Sequence, residues 1–95
     1  MFQLNGKTAI VTGGGSGIGR AISKLFAQQG ATVFVFDIDE KGSKQTTDEI
    51  TAGGGSAKSI LLNISDQQQV KNAVQQVVTE QGTVDILVNN AGVAH

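Results

Sequence analysis

The residues with the most chemical potential form a glycine-rich run, Thr12-Gly13-Gly14-Gly15-Ser16-Gly17-Ile18-Gly19. Glycines at this density let a backbone turn tightly with positive φ and bring its amides against a ligand. Gly13 allows the turn. Gly17 has no Cβ, so a diphosphate can approach the main chain. Gly19 lets the next element pack close. If a helix begins here, its unpaired N–H groups and its dipole favour an anion. Gly13, Gly15, Ser16, Gly17, Ile18 and Gly19 are therefore the candidate diphosphate cradle. Asp37 lies eighteen positions after Gly19. A carboxylate there can accept from both hydroxyls of an adenosine ribose and repels a 2′-phosphate, which favours NAD over NADP. Asn63 and Asn89-Asn90-Ala91-Gly92 are the remaining polar candidates.

Other chemistries are closed off by composition. The chain has no Cys and one His, so thiolate metal sites, disulfides and multi-His clusters are excluded. His95 reads as a packing or surface residue. There is no Tyr, and no catalytic residue is assigned. The formal net charge is −1, and no basic stripe is present, which argues against nucleic acid or an anionic membrane as partner. No signal peptide pattern or membrane-length apolar run occurs, and a cytoplasmic protein is expected.

The elements that must position these residues are read from periodicity. Thr8-Ala9-Ile10-Val11 reads as a buried strand. Ile18, Ala21, Ile22, Leu25 and Phe26 recur at helical spacing, with Arg20, Ser23, Lys24, Gln28 and Gln29 on the other, solvated face. Lys7 also reads as a solvated charge. Gly30 stops that helix. Thr32 to Phe36 is a second strand, ended by Asp37. Asp39 can cap a helix to about Ala52, although Gly42 and several Thr weaken it. Gly53-Gly54-Gly55 breaks it. Ile60-Leu61-Leu62 is expected as the third strand, ending at Asn63. Ser65 to Gln68 fits a capping box with Ser65 as N-cap. Val70, Ala73, Val74, Val77 and Val78 then form an apolar stripe ended by Gly82, and Ile86-Leu87-Val88 is the fourth strand.

Apolar strands alternating with helices specify an α/β fold with a parallel sheet. Right-handed crossovers give the Rossmann-type strand order 3-2-1-4 in a β-α-β-α-β-α-β chain. Residues 1–95 amount to the N-terminal half of a doubly wound domain. Met1 implies a genuine start, and Gly92-Val93-Ala94-His95 implies a cut after strand four. Strand four is then an apolar edge, and one sheet face carries a single helix. The isolated piece is expected to be marginally stable or to aggregate.

The spacing G-x-x-x-G-x-G after a threonine, together with Asn-Asn-Ala-Gly after strand four, resembles the classical short-chain dehydrogenase/reductase family. The resemblance spans the whole chain. It implies an NAD(P)-dependent oxidoreductase that interconverts alcohols and carbonyls, in a homo-oligomer. It implies that the Asn63 side chain and the Ile64 backbone bracket the adenine, although many relatives have Asp at the place of Asn63. Asn90 would lie nearer the nicotinamide-side ribose, with Ala91 and Gly92 keeping the backbone close. NADP-preferring relatives commonly carry a basic residue where Ser16 or Ile38 stands here, which agrees with NAD. The family's catalytic tyrosine, lysine and serine would lie beyond His95. A non-catalytic dinucleotide sensor and a Rossmann methyltransferase are the alternative readings, and the small-molecule substrate is open.

Overall fold

The computed structural model describes residues 3–90. Four strands and three helices alternate along the chain: β1 (Thr8–Thr12), α1 (Gly17–Gln28), β2 (Thr32–Asp37), α2 (Glu40–Ala52), β3 (Ser56–Leu61), α3 (Gln67–Gln81) and β4 (Ile86–Asn89). All pairings are parallel and the sheet order is β3-β2-β1-β4, the order expected from right-handed crossovers.

Burial follows from that order. β1 is central and all five of its residues are buried. β2 buries Val33, Phe34, Val35 and Phe36. Their side chains alternate between two cores. Ala9, Val11, Val33 and Val35 pack with Ala27 of α1 and Ile50 of α2 on one face. Ile10, Phe34 and Phe36 pack with Ala73 and Val77 of α3 on the other. Phe34 and Phe36 each contribute about 2 kcal/mol or more by leaving water.

Two expected boundaries move. The third strand starts at Ser56, not Ile60, and ends at Leu61. It pairs with β2 from Thr32↔Ser56 onward. As an edge strand it leaves Ser56, Lys58 and Ser59 exposed, so its polar half carries no apolar signal. The α3 N-cap is Asp66 rather than Ser65, and its carboxylate accepts from the amides of Gln68 (3.0 Å) and Gln69 (3.2 Å). The helix dipole favours a carboxylate at a helix start, and the expected capping box does not form: Gln69 Nε2 donates to the Asp66 carboxylate at 3.0 Å, while the Asp66 amide donates to the Asn63 carbonyl at 2.9 Å. The Gln69 and Gln68 amides hold the Asp66 carboxyl below its usual range, the Gln69 backbone first.

The remaining boundaries hold to within one residue, β1, β2 and β4 each running one residue further, to Thr12, Asp37 and Asn89. Asp39 caps α2 by accepting from Gly42 at 3.1 Å. Gly82 closes α3 at φ +86. Asp85 fastens the starts of β1 and β4 together, its carboxylate accepting from the Thr8 amide (2.8 Å) and its own amide donating to the Thr8 carbonyl (2.9 Å). Among the described residues only α3 covers the second core, and Leu87 on β4 is 62% exposed. An apolar groove of about 310 Å³ runs between them, lined by Phe36, Ile64, Val70, Val74 and Leu87 among others. No helix among the described residues is long and apolar enough to cross a membrane.

Candidate functional site

The carboxyl ends of parallel strands are where an open α/β sheet binds ligands, because helices begin there and side chains splay apart. Here β1, β2 and β4 end at Thr12, Asp37 and Asn89 in neighbouring positions of the sheet. The glycine run follows β1 directly. Gly13 turns at φ +69 and its amide donates to the Phe36 carbonyl at 2.8 Å. Gly17 sits at φ +54, and a Cβ there would meet nothing within 4 Å. That residue is glycine for its conformation and leaves open space above the loop. At Gly19 a Cβ would stand 2.1 Å from the Gly13 carbonyl oxygen, so the absence of a side chain sets how closely α1 approaches β1.

The start of α1 differs chemically from the other two helix starts. Ser16, the N-cap, makes no side-chain cap hydrogen bond, and the first turn holds no acid. α2 and α3 are both capped by aspartates. Among the described residues the head of α1 thus has neither a capping side chain nor an acid in its first turn, which suits an incoming anion. Ile18 in this turn is 70% exposed.

Asp37 is joined to the loop directly. Its Oδ2 accepts from the Gly15 amide at 3.0 Å and its Oδ1 from the Asp39 amide at 3.0 Å. A Cβ on Gly15 would fall 2.8 Å from that Oδ2. The structure thus brings Gly13, Gly15, Ser16, Gly17, Ile18, Gly19 and Asp37 together at the carboxyl ends of β1 and β2, with Ser16, Gly17 and Ile18 exposed and Gly15 and Gly19 buried beneath them.

The two asparagines after β4 divide between strand and loop. Asn89 Oδ1 accepts from the Thr12 hydroxyl at 3.1 Å, and Asn90 Nδ2 donates to the Gly13 carbonyl at 3.3 Å. Asn90 is thereby tied to the glycine turn. Ala91, Gly92 and His95 lie outside the described residues. Asn63 is exposed, and its Oδ1 accepts from the Ser65 amide at 2.9 Å within its own turn. Ile64 is half-buried against the second core.

Three residues expected in solvent are engaged instead: Ser23 is fully buried, its hydroxyl donating to the Gly19 carbonyl at 2.8 Å where α1 meets the sheet, and two charges find partners. Arg20 donates from Nε to Thr46 Oγ1 (2.9 Å) and from Nη2 to the carbonyls of Gly15 (2.5 Å) and Gly42 (3.3 Å). Lys24 pairs with Glu49 at 2.9 Å. Helical spacing puts both on the outer face of α1, but α2 packs along that side and supplies their partners. The Lys24 ammonium, then the Gln45 amide, hold the Glu49 carboxyl below its usual range. The roles of Thr46, Gly42 and Arg20 are hidden from sequence reading because their contacts cross elements. Gly42 falling in a helix is the available signal. A Cβ there would sit 2.4 Å from the Gly15 carbonyl oxygen.

Residues 7–95 match the short chain dehydrogenase family. The chain belongs to that family. Among related sequences, a short chain dehydrogenase of Pseudocercospora fijiensis is 53% identical over 92 residues, 97% of this chain and 30% of its own length. A 3-oxoacyl-[acyl-carrier-protein] reductase of Thermotoga maritima is 42% identical over 92 residues, 97% of this chain and 37% of its own. Among solved structures, a metagenomic short-chain oxidoreductase in complex with NADP superposes with a TM-score of 0.92 at 36% identity, covering 96% of this chain and 41% of that one. The chain thus spans about a third of the length of the curated relatives it matches.

Proposed function

We propose that residues 1–95 are the N-terminal part of a single dinucleotide-binding domain in an oxidoreductase that interconverts an alcohol and a ketone or aldehyde, with NAD preferred over NADP. The observation that carries this reading is Asp37 at the end of β2, held by the Gly15 amide beside an uncapped helix start. The residues fit the group. Positive-φ glycines, open space at Gly17 and a first turn without acids suit a diphosphate. A carboxylate beside that loop suits two ribose hydroxyls and disfavours a third phosphate by charge.

In this reading the amides from Ser16 to Gly19 hold the diphosphate and Asp37 orients the adenosine. Asn63, Ile64, Asn90, Ala91 and Gly92 line the rest of the path. The bound nicotinamide supplies or accepts the hydride. Proton transfer to the substrate oxygen needs a general acid/base, and the family's tyrosine is not among these residues, since the chain has none. We assign that step to the two-thirds of the relatives' length that this chain does not span, and predict no turnover from residues 1–95 alone. The NADP held by the metagenomic relative belongs to that protein. The bases for preferring NAD here are Asp37 and the lack of a basic residue at Ser16 and Ile38.

Titration calorimetry of the full-length protein with NAD+ and NADP+ tests the assignment. Asp37→Ala should weaken NAD+ about tenfold or more, the scale of lost hydrogen bonds to a charged acceptor, and should narrow the preference over NADP+. Undiminished NAD+ affinity in that variant would end the reading.

A further inference from the structure

The contacts of Arg20 and Thr46 form a directed hydrogen-bond chain. Arg20 Nε can only donate, so at 2.9 Å the Thr46 oxygen must accept. The single Thr46 hydroxyl proton is then free for the Gly14 carbonyl at 2.8 Å. That carbonyl belongs to the same peptide unit as the Gly15 N–H. The Gly15 N–H donates to Asp37 Oδ2 at 3.0 Å. The chain runs from a guanidinium, through a hydroxyl and one peptide plane, to a carboxylate. Thr46 is fully buried, and in low dielectric such chains polarise and strengthen along their length.

Two glycines make room for it. A Cβ at Gly42 would strike the Gly15 carbonyl oxygen, and a Cβ at Gly15 would strike Asp37 Oδ2. Arg20 Nη2 also fixes the next peptide by donating to the Gly15 carbonyl. The peptide planes on both sides of Gly15 are therefore held from α1 and α2.

We propose that Arg20 and Thr46 are positioning residues for dinucleotide selection, acting on Asp37 through the Gly14–Gly15 peptide. They touch no cofactor in this role. They fix where the Asp37 carboxylate points, and so how well it meets two ribose hydroxyls. The inference rests on the proposed role of Asp37.

The test is affinity for NAD+ and NADP+ in the full-length protein bearing Thr46→Val, alone and combined with Asp37→Ala. Thr46→Val should lower NAD+ affinity about tenfold and NADP+ affinity much less. Thr46→Ser should keep the native values. In the Asp37→Ala background Thr46→Val should have no further effect, because the residue it acts through is gone. Equal losses of both dinucleotides, or a loss that persists in the Asp37→Ala background, would show simple loop support and overturn the proposal. So would native affinity in Thr46→Val, or a folded Thr46→Ser that fails to bind. If Thr46→Val does not fold, Arg20→Lys takes its place with the same two arms, since lysine lacks the Nε donor. Should Asp37→Ala itself leave NAD+ binding intact, the proposed function fails. Should Asp37→Ala weaken binding while Thr46→Val does not, only the relay fails.

Discussion

Replacing Gly19 with alanine tests how the glycine loop is built, because two opposing effects can be weighed. Alanine is the better helix former, and at an ordinary helix position it would add about 1 kcal/mol. Here the new Cβ would lie 2.1 Å from the Gly13 carbonyl oxygen and 2.8 Å from Asn90 Nδ2. The first of these atoms is backbone at a turn and cannot rotate away. Ordinary contact begins near 3.4 Å, so the helix start and the β1 end must part by about 1 Å. Overpacking of this kind costs about 3 kcal/mol, the upper part of the usual range, since main chain must move. The clash wins, and the net loss is about 2 kcal/mol. In urea that is a midpoint lower by about 1 M, read by circular dichroism. Gly53→Ala is the control. Its φ is −86° and its nearest Cβ contact would be 3.6 Å, so its stability should change by no more than about 0.5 kcal/mol. The same Gly19 variant should bind NAD+ more weakly, since the first-turn amides move with the helix. An unchanged or raised midpoint would refute the claim that the missing side chain sets the α1–β1 distance.

Other perturbations have outcomes of defined sign. Ser43 is fully buried and its hydroxyl has no hydrogen-bond partner among the described residues; Ser43→Ala should raise stability by about 1 kcal/mol in the same urea assay by removing an unsatisfied group. Asp66 has a lowered pKa, so its cap contributes fully above the ordinary carboxylate range and is lost as pH falls through the lowered value; Asp66→Asn should flatten the acid limb of a stability–pH curve below about pH 4. Leu87 is 62% exposed beside the apolar groove; Leu87→Lys should raise the solubility of residues 1–95 expressed alone, measured by light scattering.

The sequence is most legible where one physical signal suffices. Ile10, Val11, Phe34 and Phe36 are apolar because both sheet faces are covered, and an unbroken apolar run announces that directly. Gly13 and Gly19 are readable because a turn and a close approach leave few alternatives to glycine. Legibility fails where two signals compete or where partners lie far apart in the chain. Ser56 to Ser59 is strand by pairing with β2 and polar by exposure, so pattern alone assigns it to a loop. Ser65 and Asp66 are adjacent, and either can cap; the choice is made by which carboxylate or hydroxyl the Gln68 and Gln69 amides can reach. Arg20 is misread because helical periodicity describes one helix at a time, while its acceptors come from the loop and from α2.

The weakness of α2 as a helix has the same origin. Gly42 and Thr46 both lower intrinsic helix propensity, Gly42 by about 1 kcal/mol relative to alanine. An isolated view treats them as poor choices. In the folded chain Gly42 is the position where α2 passes the Gly15 carbonyl, and Thr46 supplies the hydroxyl that links Arg20 to the Gly14 carbonyl. Local preference is therefore set aside at the residues that fix the glycine loop, while Ile50 further along the same helix packs into the core. Not every poor former of α2 serves the loop: the Thr47 and Thr51 hydroxyls bond back to carbonyls of their own helix, while Gly42 and Thr46 meet the carbonyls of Gly15 and Gly14 beside Asp37.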